Sequence, residues 1–184
     1  MITIRALVLP AALLFITPAL AATAAAQSRD HLTPQEAELV KDAQVLDQRI
    51  DVFVKAAHRR LLVLTGAVAT NSKQLKKDSQ KWGELPTGSR AELLADIAKI
   101  LDEAITNIDD VSLRDEKNPL IPKSLRKLAA EATRIFEQLK PLRDQAKSDE
   151  EIAGFAALTE HGESILEAAQ KLPPPAEKKA KAKN

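Results

Sequence analysis

Residues 31–66, HLTPQEAELVKDAQVLDQRIDVFVKAAHRRLLVLTG, decide the fold class. Thr33 supplies a capping oxygen, Pro34 is pre-set for a first helical turn, and Glu36 puts a carboxylate at the positive end, so a helix start is well specified. Leu39, Ala43, Leu46, Ile50, Phe53, Ala57, Leu61, Leu64 and Val68 then recur three or four apart, the α period. Gly66 interrupts the stripe, but a lone interior glycine costs only about 1 kcal/mol, which a packed apolar face offsets. With no proline before Pro86, the spacing predicts one unusually long first helix over about 34–80. At about 1.5 Å per residue it would run near 70 Å. Its last third, TNSKQLKKDSQK (70–81), keeps Leu75 as its one large apolar residue, so that end is expected to be thinly packed.

Working outward, Trp82-Gly83-Glu84-Leu85-Pro86-Thr87-Gly88 reads as a reversing turn. Ser89 with Glu92 forms a second capping box and opens a helix over about 90–113, with Leu94, Ile97, Leu101, Ala104, Ile108 and Val111 on one face. Asn118-Pro119 and Ile121-Pro122 predict an extended loop, because the residue before a proline is pushed out of the helical region. A third helix is expected over about 122–147, kinked at Pro141, and a fourth over about 149–172 behind the Ser148/Glu151 box. Gly154 and Gly162 mark either local softness or close approach of a neighbouring backbone. Four amphipathic segments joined by short turns predict an all-α, four-helix antiparallel bundle.

The ends read differently. Residues 1–26 have the pattern of a cleaved signal peptide: Arg5, an apolar run from Ala6 to Leu20, and Ala24-Ala25-Ala26 before the expected cut. Pro10 and Pro18 interrupt a run already short for a membrane span, which disfavours an uncleaved anchor. The expected destination is export, to the periplasm or beyond the cell. Residues 173–184 open with three prolines and carry Lys178, Lys179, Lys181 and Lys183 with nothing to bury, the composition of a disordered tail. Residues 27–172 would then be one domain.

Composition narrows the function classes. The 184 residues include four Phe, one Trp and no Tyr, so flat stacking platforms for bases or sugars are scarce and nucleic acid is not an expected partner. Lys and Arg number 27 against 26 acids, and the signal segment contains Arg5 and no acid, so the mature chain would carry no net formal charge. The absence of cysteine excludes disulfides, thiolate metal sites and covalently attached haem.

The blocks DAQVLDQRIDVFVKAAHRRLL (42–62), KWGELPTGSRAELLADIAKIL (81–101) and RDEKNPLIPKSLRKLAA (114–130) resemble an uncharacterised family of predicted secreted helical proteins from acidobacterial-type soil bacteria. The resemblance implies export and helices, and brings no activity, cofactor or site residue with it. His31-Leu32-Thr33-Pro34-Gln35-Glu36 is also similar to the Leu-Thr-x-x-Gln motif of small periplasmic stress chaperones, in one copy and with Glu at the last position.

Candidate sites are few. His31, His58 and His161 lack the Glu-x-x-His spacing of a di-iron bundle and the zinc-protease motif, so neither a metal nor another cofactor is expected. Asp96, Asp102, Glu103, Asp109 and Asp110 are read as the solvated face of the second helix, since no short loop gathers them as a calcium site does. An enzyme or ligand carrier would have to use His58 and nearby carboxylates. Lys73, Lys76, Lys77 and Lys81 fall three or four apart beside Trp82, a cationic face with an amphipathic aromatic suited to anionic headgroups or cell-wall polymers. The expectation is a non-catalytic, exported helical-bundle protein, a structural or interaction module of the cell envelope. Its partner would be an envelope protein or an anionic envelope polymer, with peripheral membrane contact through the lysines. The alternatives are a chaperone-like binder of unfolded clients and an enzyme or carrier built on His58.

Overall fold

The computed structural model describes residues 29–70 and 72–174; the signal-peptide reading and all but the first two residues of the basic tail lie outside them. Six helices and no strand occur among the described residues: α1 (Pro34–Asp42), α2 (Leu46–Leu64), α3 (Ser72–Trp82), α4 (Arg90–Arg114), α5 (Leu120–Arg143) and α6 (Asp149–Gln170). The all-α expectation holds. None of these helices is long and apolar enough to cross a membrane.

The single helix expected over 34–80 is instead three. The first break, at residues 43–45, turns α1 back along α2. In a continuous helix Glu36 and Arg59 would stand about 35 Å apart, yet Arg59 Nε donates to Glu36 Oε1 at 2.9 Å. The chain gives up helical bonds at the break and replaces them locally: Arg49 Nε donates to the Ala43 carbonyl at 2.9 Å and Gln44 Nε2 to that of Lys41 at 2.7 Å. The second break is at Gly66, where φ is +69°. There the Gly66 N–H reaches the Val63 carbonyl at 3.2 Å and the Ala67 N–H reaches Leu62 at 3.0 Å, the paired bonds of a Schellman motif. Two carbonyls at the end of α2 are satisfied at once, which outweighs continuing an apolar stripe that ends two residues later.

α2, α4, α5 and α6 enclose the core. α4 packs against the other three, α5 against α2 and α6, while α1 touches α2 and α3. Ile50, Phe53, Ala57 and Leu61 of α2 meet Ile97, Leu101, Ala104 and Ile108 of α4, Leu128 and Ile135 of α5, and Leu158 and Ile165 of α6, each at most 2% exposed. The α2 and α4 residues are those of the predicted stripes. Burying one such side chain stabilises the fold by roughly 1.5–3 kcal/mol before conformational entropy is charged against it.

The remaining boundaries shift by a few residues. α5 begins at Leu120, because the Asn118 side chain accepts the Leu120 N–H at 3.0 Å and Pro122 is tolerated in a first turn. It ends at Arg143, with Pro141 in its last turn, short of the expected residue 147. Ser89/Glu92 and Thr33/Glu36 are complete capping boxes. At α6 Ser148 caps the Glu151 N–H, but the Glu151 carboxylate turns to Arg90 at 3.3 Å. Both helical glycines mark close approach: a Cβ on Gly154 would lie 3.1 Å from Leu94 Cβ, and one on Gly162 would fall 1.8 Å from Phe136 Cζ.

Candidate interaction surface

The lysine cluster lies on α3, which follows the Gly66 turn. Leu75, Asp78 and Trp82, three or four apart, turn towards the protein, and Lys73, Lys76, Lys77 and Lys81 are exposed on the other side. α3 has one acid, Asp78, and it is spent inward. Lys55 Nζ of α2 lies 2.6 Å from Asp78 Oδ2, and Gln74 donates to Oδ1 at 2.8 Å. The Lys55 bond, aided by Gln74 and opposed by burial, holds the Asp78 carboxyl below its ordinary range. The charges on the outer face of the helix are therefore all cationic. Lys55, Lys123 and Lys127 each have a carboxylate within 2.6 Å, but among the described residues none pairs with Lys73, Lys76, Lys77 or Lys81.

Trp82 departs from the expected surface. It is only 8% exposed and packs with Ala43 and Val52 against Leu39 and Val40. Its ring lies between charges, with the Arg59 guanidinium 5.9 Å and the Lys81 ammonium 6.0 Å from the centroid. The indole clamps the end of α3 to the α1–α2 break, so it does not join the lysines in facing a partner.

A buried charge junction lies beneath α1, where the sequence gives no direct expectation of one. Glu36 is fully buried, and Arg59 and Arg60 are each 1% exposed. Glu36 Oε1 accepts from Arg59 Nε and Arg60 Nη1, both at 2.9 Å; Oε2 accepts the Thr33 N–H at 2.9 Å and lies 2.8 Å from Arg60 Nη2. Arg59 Nη2 also donates to the carbonyls of Gly83 and Glu84, and Arg60 Nη2 to that of His31 at 2.6 Å. The capping glutamate thus ties together α1, α2, the loop after α3 and the residues before α1. Burial pulls the Arg59 guanidinium below its ordinary value and Glu36 opposes that shift.

Asp96 belongs to this junction and corrects the reading of α4's acids as one solvated face. It is 5% exposed, binds Arg29, and lies 3.6 Å from Arg60 Nε. Burial outweighs Arg29 and Arg60 and pushes its carboxyl above the ordinary range. Asp102, Asp109 and Asp110 are exposed as expected. The sequence signal for the junction is an Arg-Arg pair within an apolar stripe, where a solvated face would be out of register.

The histidines stand apart, each beside its own carboxylate, and His31 also has Asp30 at 3.7 Å from Nδ1. His58 Nε2 is 2.9 Å from Glu131, His31 Nε2 is 2.7 Å from Glu103, and His161 Nδ1 is 3.3 Å from Asp102. Among the described residues no three His, Asp or Glu side chains gather to hold a metal ion. His58 turns to α5 while its neighbours Arg59 and Arg60 turn to Glu36, so the basic run divides between two partners.

No family model, curated protein or solved structure matches the chain.

Proposed function

We propose that the chain is an exported, non-catalytic helical-bundle protein of the cell envelope, a structural or interaction module whose contact surface is the outer face of α3. α2, α4, α5 and α6 are read as a four-helix antiparallel scaffold, with α1 and α3 as additions on one side. The N-terminal pattern and the resemblance to secreted helical proteins support export. The observation that carries the contact surface is the segregation of charge on α3: Asp78 is turned inward to Lys55, and Lys73, Lys76, Lys77 and Lys81 stay exposed without carboxylate partners. A cationic face that the protein leaves unneutralised suits an anionic envelope polymer or a lipid surface.

A chaperone needs a contiguous apolar surface. The large apolar side chains exposed among the described residues are Val45, Leu113 and Ile152, on the loop before α2, the end of α4 and the start of α6. Separate histidine–carboxylate pairs likewise favour the non-catalytic reading over an enzyme or carrier built on His58.

The test is sedimentation of the chain from Gln27 onward, which retains every described residue, with anionic vesicles or peptidoglycan. Binding is expected at low salt, and K73Q/K76Q/K77Q/K81Q should weaken it markedly. No binding at low salt, or binding unchanged by the four substitutions, would overturn the proposal.

A further inference from the structure

Beside the lysine face α3 stands off from α2. Side chains span the gap, with the Lys55–Asp78 pair midway and Trp82 against Val52 and Arg59 at the far end, while α1 approaches the α3 backbone. The space left between α3, the turn after α2 and the loop after Trp82 is an open cleft of about 420 Å³. Val68, Ala69, Leu75 and Leu85 make its walls predominantly apolar, Lys76 and Ser79 stand on its α3 side, and Arg59 and Glu84 border it on the other. Ser79 Oγ donates to the Lys76 carbonyl, so its donor is already engaged. A linear polyanion has no use for such walls; an anionic amphiphile uses both the walls and the lysines.

We propose that this cleft receives one acyl chain of an anionic phospholipid, with the lipid phosphate held at Lys76 and its neighbours Lys73 and Lys77. The inference rests on the reading of α3 as the contact face and names its ligand. Its size falls within the range of roughly 300–1,000 Å³ usual for small-molecule sites. The Val68, Leu75 and Leu85 side chains are half-buried, so each retains apolar surface that a chain can cover. The charge matches as well, because an anionic headgroup supplies what the protein leaves out, a counter-charge for α3. The headgroup contact is screened by salt, whereas burial of the chain is not.

The experiment uses the chain from Gln27 onward and two probes: phosphatidylglycerol vesicles and soluble inorganic polyphosphate, which presents phosphates without chains. Polyphosphate binding should disappear at high salt. Vesicle binding should persist there and fall about tenfold or more in Leu75→Gln and in Ala69→Phe, which fills the cleft and removes no contact. Circular dichroism of both variants, matched to the parent, separates a lost site from a lost fold. If vesicle binding vanishes at high salt along with polyphosphate binding, or if both folded variants bind as the parent does, the acyl site is rejected while the cationic contact face stands. If neither probe binds at low salt, the contact face itself fails.

Discussion

Glu36 and Arg60 meet out of reach of water through both carboxylate oxygens: Nη1 donates to Oε1 at 2.9 Å, and Nη2 lies 2.8 Å from Oε2. Arg59 shares the same carboxylate from one residue earlier in α2. One glutamate therefore compensates two guanidinium groups and a backbone N–H, and removing its charge leaves the two buried cations with backbone carbonyls and the more distant Asp96 alone.

Glu36→Gln should destabilise the protein by about 3–5 kcal/mol, the usual cost of breaking a buried ion pair from one side. Asp96→Asn should cost much less, because burial already works against the charged form of that carboxyl. Urea unfolding of the two variants beside the parent measures the difference. Equal losses would mean that Asp96 shares the compensation evenly with Glu36.

Acid should release α3 before it unfolds the bundle. The folded pKa of Asp78 is lowered by its bond to Lys55, so its contribution is fully present above the unfolded value near 3.8 and is lost as pH falls through the lower folded value. Trp82, the single tryptophan, sits at the end of this helix. Its emission should shift to the red below that pH ahead of any loss of far-ultraviolet helical signal, and Asp78→Asn should show the shift already at neutral pH. Coincident transitions in the parent would refute the brace.

Two glycines should respond to alanine for different reasons. Around Gly66 an added Cβ meets nothing within 4 Å, so Gly66→Ala should cost only the strain of a left-handed residue, on the order of 1 kcal/mol. At Gly162 the added carbon falls on the Phe136 ring, and Gly162→Ala should cost about 1–3 kcal/mol through overpacking. Phe136→Leu combined with Gly162→Ala should recover part of that loss in thermal unfolding, whereas it should do nothing for Gly66→Ala.

Much of the scaffold is legible because it follows from period and caps. Ile50, Phe53, Ala57 and Leu61, like Ile97, Leu101, Ala104 and Ile108, are buried where their spacing puts them. The breaks in the first helix are less so. Gly66 is visible, but setting its interior cost against the stripe omits the two carbonyls that a left-handed residue satisfies. The turn at residues 43–45 has no local signature, since its cause is a carboxylate seated on arginines 23 and 24 residues further on. The lysines of α3 are on the surface as their spacing suggests. Trp82 is not, because whether an aromatic beside a basic face points outward depends on Ala43 and Val52, which reach it only after α1 folds back.

That folding back also sets an order in time. Arg29 binds Asp96 across 67 residues and Glu36 binds Arg59 across 23, so the arm before α2 has no seat until α2 and α4 have been made and have met. Contacts that close long loops are entropically late. α1 is synthesised ahead of the five other helices of the described residues, yet its seat is built from residues made after it.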